Sequence, residues 1–405
     1  DAMTSQIRQR FQTEFGNAGL GFVFPYSLIH TNGERYVRLS SNINWDSQKN
    51  TSRDNIGAIG IAGYSLLTNN KNFVIELNIK NKDYSFNTLR ILTPNNQHLF
   101  DLAISKTGIP LRPAPAVRRT AYKNLFHKAQ KGETLYALSK KYKTTERKIQ
   151  QANNLKGNTI REGAMLKIPT EERVVSTAAS VGSSVAMNNF EPLPGDNISS
   201  LGYSYNNLNG LDRIYLTPNS ERSNFALNGI VLENDQNGII YHAIGVNGAR
   251  FSDYNKCSLF FDQIQALQPD LIIRSEERTN EAFGRLSAEN YDKQVENFIA
   301  QIREHYGNCP ILLTSPPPSL FKKKLPNPYC EQYTHVLIDN SVKKNYGVFD
   351  MYNVLGGSEG MSKLIAENLI SHDRVHYTHS GYEEQGGRLY NALMSNYLQY
   401  KNQQK

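Results

Sequence analysis

Apolar residues recur at every fourth position near the start of the chain (Met3, Ile7, Phe11, Phe15). Residues 3–15 are therefore predicted as an amphipathic helix laid on a sheet, ended by the glycines at 16 and 19. From 21 to about 101 the period drops to two. Phe22 with Phe24, Tyr36 with Arg38, Ile59 with Ile61, the series Phe73, Ile75, Leu77, Ile79, and Leu89 with Ile91 mark strands, and Asn-Gly, Asn-Asn and Lys-Asn pairs mark turns. That is the pattern of an antiparallel β-sandwich. Trp45, the single tryptophan, falls in a polar stretch and reads either as a core anchor or as a platform for a sugar ring.

Pro110, Pro113 and Pro115 stiffen residues 108–123 into an extended linker. Residues 124–169 then read as a small unit of their own. A strand at 125–129 leads through a turn to a helix capped by Thr134 and carrying Leu135, Leu138 and Tyr142. A second helix holds Ile149 and Ala152, and Leu166 and Ile168 belong to a closing strand. Residues 170–200 read as a Ser-rich flexible linker, after which strand patterning resumes at 201–205, 214–216 and 230–232. The unit at 124–169 is thus expected to be inserted in the sandwich, whose last strands occupy 201–237. From 238 the pattern alternates. Strands are expected at 239–245, 270–273, 310–315 and 348–352, and helices at 259–267, 287–305, 336–346, 360–370 and 381–399. Short connections between strands and helices imply an α/β region with a parallel, doubly wound sheet.

With 405 residues, 39% hydrophobic and 20% charged, the chain is globular and holds more than one domain. A net charge of +8 and a pI near 9.1 fit an anionic cell-wall or membrane surface. The cations are dispersed and form no arginine-rich helix, so nucleic acid is not an expected partner. The 23 tyrosines and abundant asparagines suit a carbohydrate-facing surface. Cys257, Cys309 and Cys330 match no metal-site spacing and are expected as free thiols; no cofactor is expected. No transmembrane run and no signal peptide is visible.

The stretch from Gly132 to Pro169, KGETLYALSKKYKTTERKIQQANNLKGNTIREGAMLKIP with its leading lysine, resembles the LysM module. The anchor points of that module (GDTL-like turn, first helix, Ile…Asn…Leu end of the second helix, Gly…Leu-x-Ile-Pro) are all present in order. The resemblance implies binding of N-acetylglucosamine-containing glycans, peptidoglycan or chitin. It places the groove between Gly132, Glu133 and Thr134 on one side and Asn154 and Leu155 on the other.

The candidate chemistry centres on Asp373 and His376, three apart in a short turn. In such a spacing the carboxylate can hold the imidazole in one tautomer, ready to take a proton from a serine hydroxyl. Two earlier loops at expected strand ends carry Gly248 and Asn280. Taken singly, Asn280 reads equally as a helix cap and Gly248 as a plain turn glycine; their joint order favours function. That order resembles the SGNH (GDSL-type) hydrolases, nearest to bacterial peptidoglycan and polysaccharide O-acetylesterases. The resemblance implies a flavodoxin-like doubly wound domain from residues 1–20 and 238–405, with 21–107 and 201–237 as the accessory sandwich. It makes His376 the general base, Asp373 its orienter, and the Asn280 amide and Gly248 N–H the oxyanion-hole donors.

Two departures stand out. Arg278 occupies the position where the third family block has glycine, and no Gly-Asp-Ser block is visible. The helix at 3–15 corresponds to the one that follows the nucleophile strand, so the serine is expected a few residues before Asp1. Alternatively, Asp1 and Ala2 are what remains of Gly-Asp-Ser with alanine in the serine's place. Two readings follow: an exported ester hydrolase of the periplasm or cell envelope, held on glycan by its LysM unit, or a non-catalytic peptidoglycan-binding protein on the same fold.

Overall fold

The computed structural model describes all residues except 1, 32, 53–58, 115–120, 131, 154, 156, 175–184, 200–201, 276–284, 308 and 405. The chain divides into two compact units, one of Ala114–Ser183 and one of Asp1–Pro113 with Ser184–Lys405.

In the smaller unit, Ala121–Lys128 pairs antiparallel with Met165–Val174, and the helices Leu135–Lys141 and Glu146–Ala152 lie between them in sequence. Thr134 and Thr145 cap the helices by accepting from the N–H groups of Ala137 (3.1 Å) and Lys148 (3.3 Å). Leu135, Leu138, Ile149, Leu166 and Ile168 close a separate core. The first strand begins inside the segment expected as linker 108–123, because its partner strand runs on to Val174.

The larger unit holds two five-stranded antiparallel sheets. One runs Gly21–Val23, Gly229–Glu233, Thr88–Leu92, Gly202–Tyr205, Asp196–Ser199; the other Phe190–Pro192, Phe100–Ser105, Arg213–Pro218, Ile75–Ile79, Val37–Ser41. A three-stranded sheet adds Phe225–Leu227, Tyr64–Thr68 and Asp46–Lys49. Strands from before and after the smaller unit are interleaved within each five-stranded sheet. Residues 190–192 and 196–199, expected as linker, are edge strands: pairing with Phe100–Ser105 and Gly202–Tyr205 satisfies backbone groups that a polar composition alone left unassigned. Trp45 is 2% exposed, packs edge-on to Phe73 at 4.9 Å and donates its indole N–H to Ser41 Oγ, so it is a core anchor.

Three parallel strands, Ile272–Arg274, Ile311–Thr314 and Gly347–Phe349, lie side by side in that order. Helix Ala288–Tyr306 turns Tyr291, Val295, Phe298, Ile299 and Ile302 inward. The buried strand expected at 239–245 does not form. A single parallel bridge joins Asn17 to Ile239, and residues 241–244 are half-buried. Its carbonyls are taken by side chains instead: Gln12 Nε2 donates to Ile239 O (3.2 Å) and Arg8 Nε to Tyr241 O (3.3 Å). The helix expected at 336–346 runs Pro328–Ser341. Asn327 caps it by accepting from Tyr329 N–H, proline fills its first position, and Asn345 turns left-handed (φ 52°) beyond its end.

Helix Ala2–Phe15 ties these parts together. Met3 and Ile7 enter an apolar cluster with Met351, Leu364, Tyr377 and Leu389, while Phe11 and Phe15 meet Tyr390 and Tyr397 of helix His379–Gln403. Beside that stripe, Arg8 is 2% exposed and bonds Glu34 Oε2 at 2.8 Å. Gln12 accepts from Tyr84 O–H (2.8 Å) and donates to Gly19 O (3.0 Å).

Removing one partner of a buried pair leaves the other charge unpaired, at a cost of about 3 kcal/mol. Arg8→Ala should therefore lower the urea midpoint by that equivalent with the slope unchanged, and Glu34→Gln added to it should recover part of the loss. A midpoint equal to that of the parent would remove the pair from any account of stability.

Candidate active site

The C-terminal ends of the three parallel strands are braced by side chains. Beyond Ile272–Arg274, the Arg274 guanidinium lies over the rings of Phe251 (4.7 Å) and Tyr254 (5.6 Å) in the helix Phe251–Asn255. That helix follows directly on the turn containing Gly248, closed by Ala249 N–H donating to Val246 O at 3.0 Å. Gly248 has φ +83°, with open space where a Cβ would stand, so backbone conformation rather than crowding selects glycine. Its N–H is not taken up by any described acceptor. Beyond Ile311–Thr314, buried Ser315 donates to Asp350 Oδ1 (3.2 Å) and accepts from Tyr352 N–H (3.0 Å), which joins this strand end to that of Gly347–Phe349.

The turn of Asp373 and His376 is fastened to the same edge. Leu320 N–H donates to Arg374 O (2.8 Å) and Tyr377 O–H to Pro318 O (2.9 Å), both reaching the loop that leaves Ile311–Thr314. Within the turn, Asp373 Oδ1 accepts from the N–H groups of Val375 and His376, each at 2.9 Å, and Oδ2 lies 2.6 Å from His376 Nδ1. Arg374 takes the left-handed conformation (φ 63°) that lets the chain fold back so sharply. With Nδ1–H donated to a carboxylate, Nε2 is the proton-accepting nitrogen. Burial alone would raise the Asp373 pKa, but the His376 hydrogen bond and the two backbone N–H groups outweigh it and bring it down to about 2. Both side chains are nearly half exposed. Among the described residues, no hydroxyl is hydrogen-bonded to His376.

Of the other expected site residues, Asn280 lies outside the described residues, as does Arg278. In the smaller unit, Gly132 has φ +83° and open space around it. Glu133 is committed internally: its carboxylate meets His127 Nε2 at 2.6 Å and Gln130 N–H at 2.8 Å, while Tyr142 O–H holds His127 Nδ1 at 2.9 Å. Thr134 is the helix cap, and Leu155 packs on the core with its N–H donated to Gln150 O. Asn154 lies outside the described residues. Asn153, not among the expected site residues, fastens the second helix to the closing strand through Lys167 N–H and O, both at 2.7 Å. An asparagine just past a helix end is the signal that marks it. Arg274 and the Pro318–Leu320 brace were also not foreseen, because their partners are remote in sequence. Among the described residues, no group of three His, Cys, Asp or Glu is placed to hold a metal ion, and no helix is long and apolar enough to cross a membrane.

Residues 127–169 match the LysM domain family. The chain shares the fold of a solved peptidoglycan O-acetylesterase, with a TM-score of 0.58 and 17% identity over 98% of this chain and 87% of that one. A lipase/acylhydrolase from Enterococcus faecalis aligns at a TM-score of 0.28 and 18% identity, over 37% of this chain and 72% of that chain. A salicylyl-acyltransferase from a tetracycline biosynthetic pathway aligns at 0.30 and 14%, over 89% and 98%. No curated protein matches the chain in sequence.

A depressed carboxylate pKa contributes stability that is present above the ordinary value of 3.8 and is lost as pH falls through about 2. Carbon-detected NMR should accordingly give Asp373 a titration midpoint near 2, and His376→Ala should move it part of the way back up. An unmoved midpoint would show that the imidazole does not hold this carboxylate in solution.

Proposed function

We propose that the chain is the body of an exported SGNH-type ester hydrolase that removes acyl groups, acetyl foremost, from peptidoglycan in the periplasm or cell envelope. The single observation that carries the reading is the Asp373–His376 hydrogen bond at the C-terminal edge of a parallel sheet. The LysM domain in the same chain supplies the glycan. In this mechanism a serine Oγ attacks the ester carbonyl while His376 Nε2 takes its proton. The carbonyl oxygen becomes an oxyanion held by the Gly248 N–H and the Asn280 amide. Collapse expels the sugar alkoxide, which receives the proton from His376 and leaves as an alcohol. Water, deprotonated by the same imidazole, then releases the acyl group as the acid. Asp373 holds the ring and stabilises the imidazolium without itself taking the proton. The serine belongs, on this reading, to a segment upstream of Asp1.

A second reading, a glycan-binding protein without turnover, is favoured by one observation: among the described residues no hydroxyl reaches His376. The two readings separate experimentally. The chain beginning at Asp1 should hydrolyse p-nitrophenyl acetate no faster than its His376→Ala variant, because members of such a triad act as a unit. Joined to an upstream segment bearing serine, it should release acetate from O-acetylated peptidoglycan, and His376→Ala should abolish the gain. No gain leaves the binding protein as the better account. Turnover by the chain from Asp1, blocked by a serine-directed phosphonate, would mean that the nucleophile lies elsewhere in it.

The LysM module has a core of its own, and a fragment of residues 114–183 should sediment with insoluble chitin or peptidoglycan. A folded fragment that stays in the supernatant removes the anchoring role.

A further inference from the structure

A cleft of about 260 Å³ lies in the larger unit, between the turn Tyr26–Ile29, residues 33–35 and the strand Val37–Ser41. That strand is the last of its sheet, paired only with Ile75–Ile79, so its outer edge faces the cleft. Phe24, Val37 and Leu39, all buried, contribute apolar lining. Around it stand three exposed cations, Arg35, Arg38 and Lys80. The lining contains one carboxylate, Glu34, and it is already engaged by Arg8 Nη1 and by Arg35 N–H, each at 2.8 Å. The Arg35 guanidinium rests on Tyr36 O–H at 2.7 Å. Among the described residues, neither Arg38 nor Lys80 has a carboxylate partner.

An apolar lining ringed by uncompensated cations selects a ligand with small apolar groups and free carboxylates. Sites that enclose a drug-sized ligand measure roughly 300–1,000 Å³, so this cleft takes a short segment of a larger molecule. One wall is fixed to the candidate active site. The Tyr26 ring packs on Phe24 (4.8 Å) and Tyr64 (5.5 Å), and its O–H donates to Gly245 O at 2.9 Å, three residues before Gly248. Burial pushes the Tyr26 phenol far above its ordinary pKa, so this bond keeps its proton.

We propose that the cleft binds the carboxylate-bearing peptide of peptidoglycan, Arg38 and Lys80 meeting its carboxylates while the apolar lining takes its alanine methyls. The proposal rests on the reading that this glycan is the ligand, and it adds the part of the glycan that is recognised. A peptide held there touches Tyr26, whose O–H is bonded to the turn assigned to the oxyanion, and through that wall its binding positions the sugar ester from a distance.

The test uses the whole chain and three probes: a stem peptide freed of sugar, the same peptide with its carboxylates amidated, and a chitin oligomer. The free peptide should bind at least about tenfold tighter than the amidated one, and more weakly as salt rises, as charge-assisted contacts require. Arg38→Ala with Lys80→Ala, both at exposed positions, should erase that difference and leave chitin binding unchanged. Equal affinity for the two peptides, or a double variant that still discriminates, overturns the proposal whatever the chitin result. Loss of chitin binding alone speaks only against the LysM role.

Discussion

The buried polar face of helix Ala2–Phe15 is the constraint on which the larger unit depends. Arg8 and Gln12 sit one turn apart, both buried, and their donors are distributed over Glu34, Tyr241 O, Ile239 O and Gly19 O. A buried guanidinium or amide without partners costs several kcal/mol, so these partners are obligatory once the apolar stripe of Met3 and Ile7 is seated. The consequence runs outward. Residues 239–241, held by side chains, lead into the turn at Gly248, while Glu34 stays in the wall of the cationic cleft with its charge engaged by Arg8. One helix thereby sets both the approach to the candidate oxyanion donor and the sign of the neighbouring cleft.

Much of the fold was legible because it is local or periodic. The alternation of Phe73, Ile75, Leu77 and Ile79 and the inward face of Ala288–Tyr306 follow from side-chain spacing alone. So does the LysM order of strand, two helices and strand. What stayed hidden depends on partners far along the chain. Nothing near Arg8 indicates that a polar residue flanking an apolar stripe will meet Glu34 rather than water. The apolar run at 239–245 looks like a buried strand, yet a strand exists only through its neighbours, and here α-helical side chains hold its carbonyls. Helix Pro328–Ser341 starts eight residues before the expected 336, at a cap-and-proline pair, Asn327-Pro328, that lies ahead of the apolar pattern.

The same division explains the candidate site. Asp373 and His376 are joined inside one turn, so their spacing is nearly sufficient to specify the pairing. Arg274 stacks on Phe251 and Tyr254 in the helix that follows Gly248, a contact that no motif announces. In the LysM domain the motif residues Glu133 and Thr134 brace the turn and cap the helix. Their side chains are thus committed within the domain.

The exposure of the dyad bears on where catalytic power comes from. Both side chains are nearly half open to water, so on the proposed mechanism the Asp373–His376 pair would act in a high dielectric and an oxyanion would be weakly stabilised until something covers it. On the proposed mechanism that cover comes from the ligand. Binding elements away from the ester therefore act on the chemical step as well as on affinity, because they hold a large, water-excluding substrate over His376. On the same proposal the LysM domain would raise the local concentration of glycan without orienting one ester among many. The cationic cleft, fixed to the Gly248 turn through Tyr26, is suited to that second task. A small activated ester fills neither and should gain little from the same dyad.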